Sequence, residues 1–356
     1  MNVKRIITTV LAALLPLAAG ATTLIVPASG TGPGANDSHW QTELTLHNTS
    51  GSAITATLTF HDAAGAGGTS AVTVAPRATV AIADVVASRF GLTAATGAIE
   101  INFDSAFAQK LIVSSRTFNK SPAGEFGQDI PAVDQAAAAS AGNLIVLSGP
   151  SSATDSRFNF GVYALTASSV QWQLVRADGT VAASKDISYA AGTQYQYNFG
   201  INTLFNASAA DNDTVHATVT SGLALAYGSI INNASGDPTY VPGVRAISDL
   251  RINFLGVDFG DTGTINIADA NHDGILDRPV DIQTGTFPVA FRVVVSSATP
   301  ATFELLDAPA DVKFFDARGG ILWTPNAGSS GTSTFLRLRV TADGATEIIT
   351  IPVNIR

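Results

Sequence analysis

Apolar and polar positions alternate with a period of two along most of the chain, as in Val170/Trp172/Leu174, Tyr195/Tyr197/Phe199 and Leu223/Leu225/Tyr227. Alternation over short runs, bounded by Gly, Asn, Asp and Ser, predicts strands that bury one face. The signature returns at Val289/Phe291/Val293/Val295, Leu336/Leu338/Val340 and Ile349/Ile351/Val353/Ile355. No long helical pattern interrupts the strands, which argues for antiparallel sandwiches rather than α/β units.

The pattern also repeats. Residues 23–133 recur at 143–244. Each copy opens on an apolar strand, Leu24-Ile25-Val26 or Leu144-Ile145-Val146, followed by a Gly/Ser/Pro-rich loop. Ser38-His39-Trp40 then leads to Leu44 and Leu46, as Ser156-Arg157-Phe158 leads to Phe160 and Val162. Asp84 to Phe90 and Asn198 to Phe205 both read as a capped helical turn. The Ala-rich segment 134–142 lacks periodic hydrophobics and reads as a linker. The predicted fold is therefore all-β: three antiparallel, Ig-like β-sandwich domains in tandem at 22–133, 143–244 and 250–356, the first two an internal duplication.

Composition places this fold. Of 356 residues only 13% are charged, none is Cys, and the formal net charge is −9. With 19 scattered Lys and Arg the chain lacks the basic clusters that nucleic acid demands, so no nucleic-acid partner is expected. Residues 1–21 have the three parts of a signal peptide: Lys4 and Arg5, an apolar stretch from Ile6 to Ala18, and the small triplet Ala19-Gly20-Ala21. Cleavage is expected after Ala21, giving a secreted, cell-surface or periplasmic chain with no membrane span. The apolar run is shorter than the ~20 residues of a spanning helix.

Ser38-His39-Trp40, Ile130-Pro131-Ala132-Val133 and Tyr240-Val241-Pro242-Gly243 resemble the strand starts and closing strands of tandem β-sandwich repeats in uncharacterised secreted bacterial proteins. That resemblance implies architecture and no activity. Gly320-Ile321-Leu322-Trp323-Thr324-Pro325, the Gly328 to Gly331 turn, Phe335 to Val340, Asp343-Gly344 and the last strand resemble bacterial Ig- or cadherin-like modules. Such modules imply a spacer or adhesive role.

One stretch carries metal chemistry. Asp269, Asn271, Asp273 and Asp277 occupy positions 1, 3, 5 and 9 of a calcium-type loop, with Gly274 at position 6 and the Ile275 carbonyl at position 7. Alternate oxygen side chains face inward, and Ca²⁺ takes six to eight hard oxygen ligands. Position 12 is Val280, and the next acid, Asp281, comes one residue late. Asp258 and Asp261 add to the local negative charge. The expected cofactor is a structural Ca²⁺; the competing reading is a solvated acidic loop.

Other candidates are weaker. His39, His47, His61, His216 and His272 show no zinc spacing and read as strand-surface residues. Gly30-Thr31-Gly32-Pro33-Gly34 lacks the Lys of a phosphate loop and reads as a flexible turn. Trp172 and Trp323 fall in core register. Trp40, with His39 and the second-copy Arg157 and Phe158, is the best candidate for an exposed contact patch. The expectation is a non-enzymatic, exported adhesion or scaffold protein with a structural calcium site, its partners surface polysaccharide or other cell-surface proteins. A carbohydrate-binding accessory protein is the alternative, and a hydrolase on a β-sandwich scaffold the next.

Overall fold

The computed structural model describes residues 21–34, 37–122, 124–246, 251–258, 264–270, 274–285, 288–297, 299–315, 318–342 and 345–356. The expected signal peptide, all but Ala21, lies outside them. The first unit runs through β1 (Ala21–Pro33), β2 (His39–Asn48), β3 (Ile54–Asp62), β4 (Gly65–Val74), β5 (Thr79–Ile82), α1 (Val85–Phe90), β6 (Ala95–Asp104), β7 (Leu111–Ser121), β8 (Gly124–Asp129) and β9 (Val133–Asp134). Asp84 starts α1 as an N-cap, its side chain accepting the Ala87 N–H, and Gly91 ends it at φ 71°.

Strand β1 belongs to both halves of this unit. Ala21 to Thr31 pair with β6, the register shifts between Val26 and Ser29, and Gly32 and Pro33 pair with β2. The glycine run read as a flexible turn is thus the end of a long strand. Gly32 adopts φ 141° with the Ala94 backbone 3.1 Å from where its Cβ would stand, so a side chain there would block the crossing.

The second unit runs through β10 (Ala139–Ser140), β11 (Leu144–Ser148), β12 (Ser156–Ala164), β13 (Ser168–Val175), β14 (Val181–Tyr189), β15 (Thr193–Tyr197), α2 (Gly200–Phe205), β16 (Thr214–Ser221), β17 (Leu223–Asn232), β18 (Pro238–Pro242) and β19 (Val244–Arg245). One half of the first unit pairs in the order β4-β3-β6-β1-β9 and the other in the order β5-β2-β7-β8. The second unit pairs as β14-β13-β16-β11-β19 and β15-β12-β17-β18, the same two orders strand for strand, with β10 added beside β17.

The segment expected as a linker is held on both sides. Asp134 pairs with Leu24 of β1, and Ala139 and Ser140 pair with β17. Between them Asp134 caps a 3₁₀ turn at Gln135–Ala137. Ala138 and Ala139 are buried, Ala139 in the core of the second unit.

The third unit contains β20 (Arg251–Asp258), β21 (Thr264–Ala268), β22 (Val280–Ile282), β23 (Val289–Ser296), β24 (Thr302–Asp307), β25 (Lys313–Phe315), β26 (Gly320–Trp323), β27 (Ser333–Ala342) and β28 (Ala345–Ile355). They form two sheets, β21-β20-β23-β26-β25 and β22-β28-β27-β24, antiparallel apart from the β22/β28 pair. Ile349, Ile351 and Val353 alternate into its core with Leu336, Leu338, Val340 and Trp323. Trp172 fills the second core, its Nε1 donating to the Tyr189 hydroxyl at 2.8 Å.

The outward face of β27 meets the second unit, where Arg339 donates to the Ala141 carbonyl at 3.3 Å and pairs with Glu304. Beside it Arg337 is 1% exposed, its guanidinium 4.5 Å from the Phe335 ring. Among the described residues none of its three nitrogens has a hydrogen-bond partner. Burial pushes its pKa down to about 10. An unsatisfied buried charge costs more than its attraction to Asp307 returns. Arg337→Met, which keeps the stem and removes the charge, is expected to raise stability by about 1–3 kcal/mol in denaturant unfolding; a loss would show that the guanidinium is needed.

Candidate functional site

Two strands of the second unit are covered on both faces. On β12 and β17, Phe160, Val162, Ala164, Ala224 and Ala226 enter their own core. Tyr163 instead joins Ile25 and Ala98 of the first unit, with Leu225 packed alongside, and Tyr227 joins the first core near Ile130. The Leu223/Leu225/Tyr227 alternation is therefore real, but its apolar face serves a neighbour rather than the unit that carries it.

A polar cluster closes this seam. The Tyr163 hydroxyl donates to Glu100 Oε1 at 2.6 Å, and His61 Nε2 is 3.4 Å from Glu100 Oε2. His61 Nδ1 donates to the Gly192 carbonyl at 3.0 Å. His61, expected on a strand surface, is only 9% exposed because the second unit covers it. The His61 imidazole beside it and the bond from Tyr163 hold the Glu100 carboxyl below its ordinary range against the opposing effect of burial. Burial and Glu100 together push the Tyr163 phenol up. A second contact joins the units where Ser229 donates to Gln128 at 2.9 Å and Asn119 to the Gly236 carbonyl at 3.1 Å.

Between these contacts the units part and leave a cleft of about 340 Å³. The first unit lines it with Thr31, Trp40 and Gln128, the second with Arg157, Asn159 and Phe199. Trp40 reaches the mouth because the core of its unit stops at Leu44. Thr42, next on the same face, is tied to Gly30 at 2.8 and 3.0 Å and to Thr117 at 2.9 Å, so the sheet end is polar and open.

Opposite, Arg157 places its guanidinium 5.3 Å from the Phe199 ring and donates to Asn233 Oδ1 at 3.2 Å. Among the described residues it pairs with no carboxylate, and burial pulls its pKa down. Phe199 is 56% exposed yet held in the left-handed region at φ 51°, ψ 49°. Its N–H donates to Asn159 Oδ1 at 2.9 Å, which fixes that conformation. Of the patch inferred from sequence, Trp40 and Arg157 meet here. Phe158 is core at 3% exposure, and His39 lies outside the cleft. Phe199 was missed because the Tyr195/Tyr197/Phe199 alternation implied burial; Tyr195 and Phe199 are exposed.

The calcium-type residues lie apart from this cleft. Asp269 is 3% exposed and Asp269 Oδ2 accepts the Gly274 N–H at 2.8 Å, with Gly274 at φ 73°. The Asp277 carboxylate accepts the Ala270 N–H at 3.2 and 3.3 Å, and Ile275 bridges to Thr350 of β28. Asp281 instead faces β28, accepting from Asn354 at 3.1 Å and pairing with Arg356 at 2.9 Å. Asn271, His272 and Asp273 lie outside the described residues. Among the described residues no three His, Cys, Asp or Glu side chains gather as a metal cluster. No helix among them is long and apolar enough to cross a membrane.

No protein-family model matches the chain, and no curated protein matches it. Among solved structures it is similar to an I-band fragment from titin, at 8% identity over 94% of this chain and 99% of that one, with a TM-score of 0.16. So distant a likeness has no bearing on fold or function.

Two outcomes follow from the seam and the cleft. Glu100 is held below its ordinary value of 4.5, so its contribution to stability is present above that pH and fades as pH falls through the lowered value. Glu100→Gln should cost about 1 kcal/mol at pH 7 and flatten the acid limb of stability against pH; an unchanged limb would refute the assignment. A left-handed conformation costs a bulky residue about 1–2 kcal/mol, more than the ~0.5–1 kcal/mol of its exposed contact with Arg157. Phe199→Gly should therefore leave stability unchanged or raise it by up to about 1 kcal/mol in thermal unfolding.

Proposed function

We propose that this chain is an exported, non-catalytic surface protein, three β-sandwich units in tandem, acting as a scaffold or adhesion component. The observation that carries the reading is the seam. Two units sharing Ile25, Ala98 and Tyr163, closed by His61, Glu100 and Gly192, present one rigid body rather than beads on a string. Rigidity of that kind suits a surface spacer, and the His61/Glu100 pair is spent on holding it. The segment 134–142 and Arg339 extend the attachment to the third unit.

Within this reading Ca²⁺ stiffens the start of the third unit, held by Asp269, Asn271, Asp273, Asp277 and the Ile275 carbonyl. Support comes from the spacing, from Gly274 in the left-handed region, and from the buried Asp269 carboxylate turned onto the Gly274 N–H. Asp281 is left out, since its carboxylate is committed to Arg356. Affinity in the range of extracellular modules, roughly 10⁻⁴ to 10⁻³ M, is expected.

Scanning calorimetry of the protein recovered from the exported fraction tests this. Its mass should correspond to a chain starting at Thr22. The first two units should melt in one transition, unmoved by millimolar calcium, and the third in another that calcium raises and chelator lowers. Separate melting of the first two units, or a third transition indifferent to calcium, would overturn the corresponding part.

A further inference from the structure

The inter-unit cleft is one of three adjoining cavities. A second, of about 280 Å³, shares Arg157 and Phe199 with it, and a third, of about 70 Å³, shares Trp40 and Arg157. Together they make a groove across the junction, with Arg157 common to all three. A groove of this form accommodates an extended chain better than a compact metabolite.

Its chemistry is selective. The chain carries 28 acidic against 19 basic residues, yet among the described residues no carboxylate lines any of the three cavities. The charge on the wall is Arg157, partly desolvated against Phe199 and paired with no acid among the described residues. A guanidinium placed so favours a planar carboxylate, which it can hold through two parallel hydrogen bonds.

The rest of the wall combines aromatic faces and amides with aliphatic residues such as Pro33, Ile130, Ile201 and Ile231. Trp40 and Phe199 offer rings from opposite units, while the buried Tyr227, Thr31 and Ser29 also border the cleft with their hydroxyls bonded to Gln194 and Gln196, to Asp84 and to the Gly97 carbonyl. Asn159 and Gln128 spend their amide oxygens on the Phe199 N–H and on Ser229, leaving amide N–H groups as donors for a ligand. Rings stack on the C–H faces of sugars, while amide donors match sugar hydroxyls. The strained and exposed Phe199 is a further mark of a working surface.

We propose that this groove binds an acidic polysaccharide chain, with a uronic-acid carboxylate on Arg157 and sugar rings against Trp40 and Phe199. The proposal rests on the surface-scaffold reading above and gives it a ligand class. Cleft residues come from both units, so the rigid seam sets the spacing that the saccharide reads.

Tryptophan fluorescence tests this directly. Of the three tryptophans, Trp172 and Trp323 are 0% and 1% exposed, so a surface ligand can quench only Trp40. The full chain is titrated with oligomers of galacturonic, mannuronic and glucuronic acid, with a neutral galactose oligomer, and with an oligoglutamate peptide. At least one uronate should quench Trp40 and bind at least tenfold tighter than the neutral oligomer and the peptide. Arg157→Gln should remove that tenfold preference. Phe199→Asn, which tolerates the left-handed backbone while deleting the ring, should weaken the uronate about tenfold, by calorimetric titration, with the fold retained. Silence across all three uronates, equal binding of the neutral oligomer or the peptide, or indifference to both substitutions would overturn the site. Silence alongside the calorimetric transitions described above would leave the scaffold reading standing.

Discussion

Tyr163 is fully buried, yet it points away from the core of the unit that carries it. Its ring packs on Ile25 and Ala98 and its hydroxyl ends on Glu100, so the outer face of the second unit is an inner face of a two-unit body. Burying a Tyr hydroxyl and a Glu together is costly unless each satisfies the other. Here His61 and Gly192 complete the arrangement from both sides. Everything at the junction depends on this contact: it sets how close the units come, and so the width of the cleft beside it.

The strands forming this junction show how far alternation can be read. Val170, Trp172 and Leu174 are buried as their spacing implies, as are Ile349, Ile351 and Val353. On β12 every residue from Phe158 to Ala164 is buried, and on β1 every residue from Ile25 to Gly32. A strand covered on both faces has no polar face to display, and the run Leu24 to Ser29 has that look in the sequence. The identity of the covering surface is not written there, because it belongs to a segment more than a hundred residues away. His61 and the segment 134–142 escaped for the same reason.

The candidate site was legible in a different way. Comparing the strand starts of the two repeats picked out Trp40 with His39, Arg157 and Phe158, and of these Trp40 and Arg157 line the cleft. Phe199 escaped because its period-two spacing with Tyr195 and Tyr197 is that of a buried face. Only the backbone, turned to positive φ at Phe199 by the bond to Asn159, swings the ring outward. Of the calcium-type set, spacing alone placed Asp281 beside the loop, whereas the strand it belongs to directs its carboxylate to Arg356.

The two copies of the fold meet the groove with different sheet ends. Thr42 and Phe158 hold matching places, as do Leu44 and Phe160: they pair with Thr117 and Ile230, and with Ser115 and Gly228, at corresponding points of the next strand. In the second unit the Phe158 ring lies 5.6 Å from that of Phe160, which lies 5.3 Å from the Trp172 ring and 5.6 Å from that of Tyr197, so an aromatic stack fills the sheet end. In the first unit Thr42 turns its hydroxyl to Gly30 and Thr117, no plug forms, and Trp40 stays half-buried at an open rim. An aromatic in one copy and a hydroxyl in the other thus give the two sheet ends different surfaces beside the same groove. The second copy supplies the opposite wall, including Arg157.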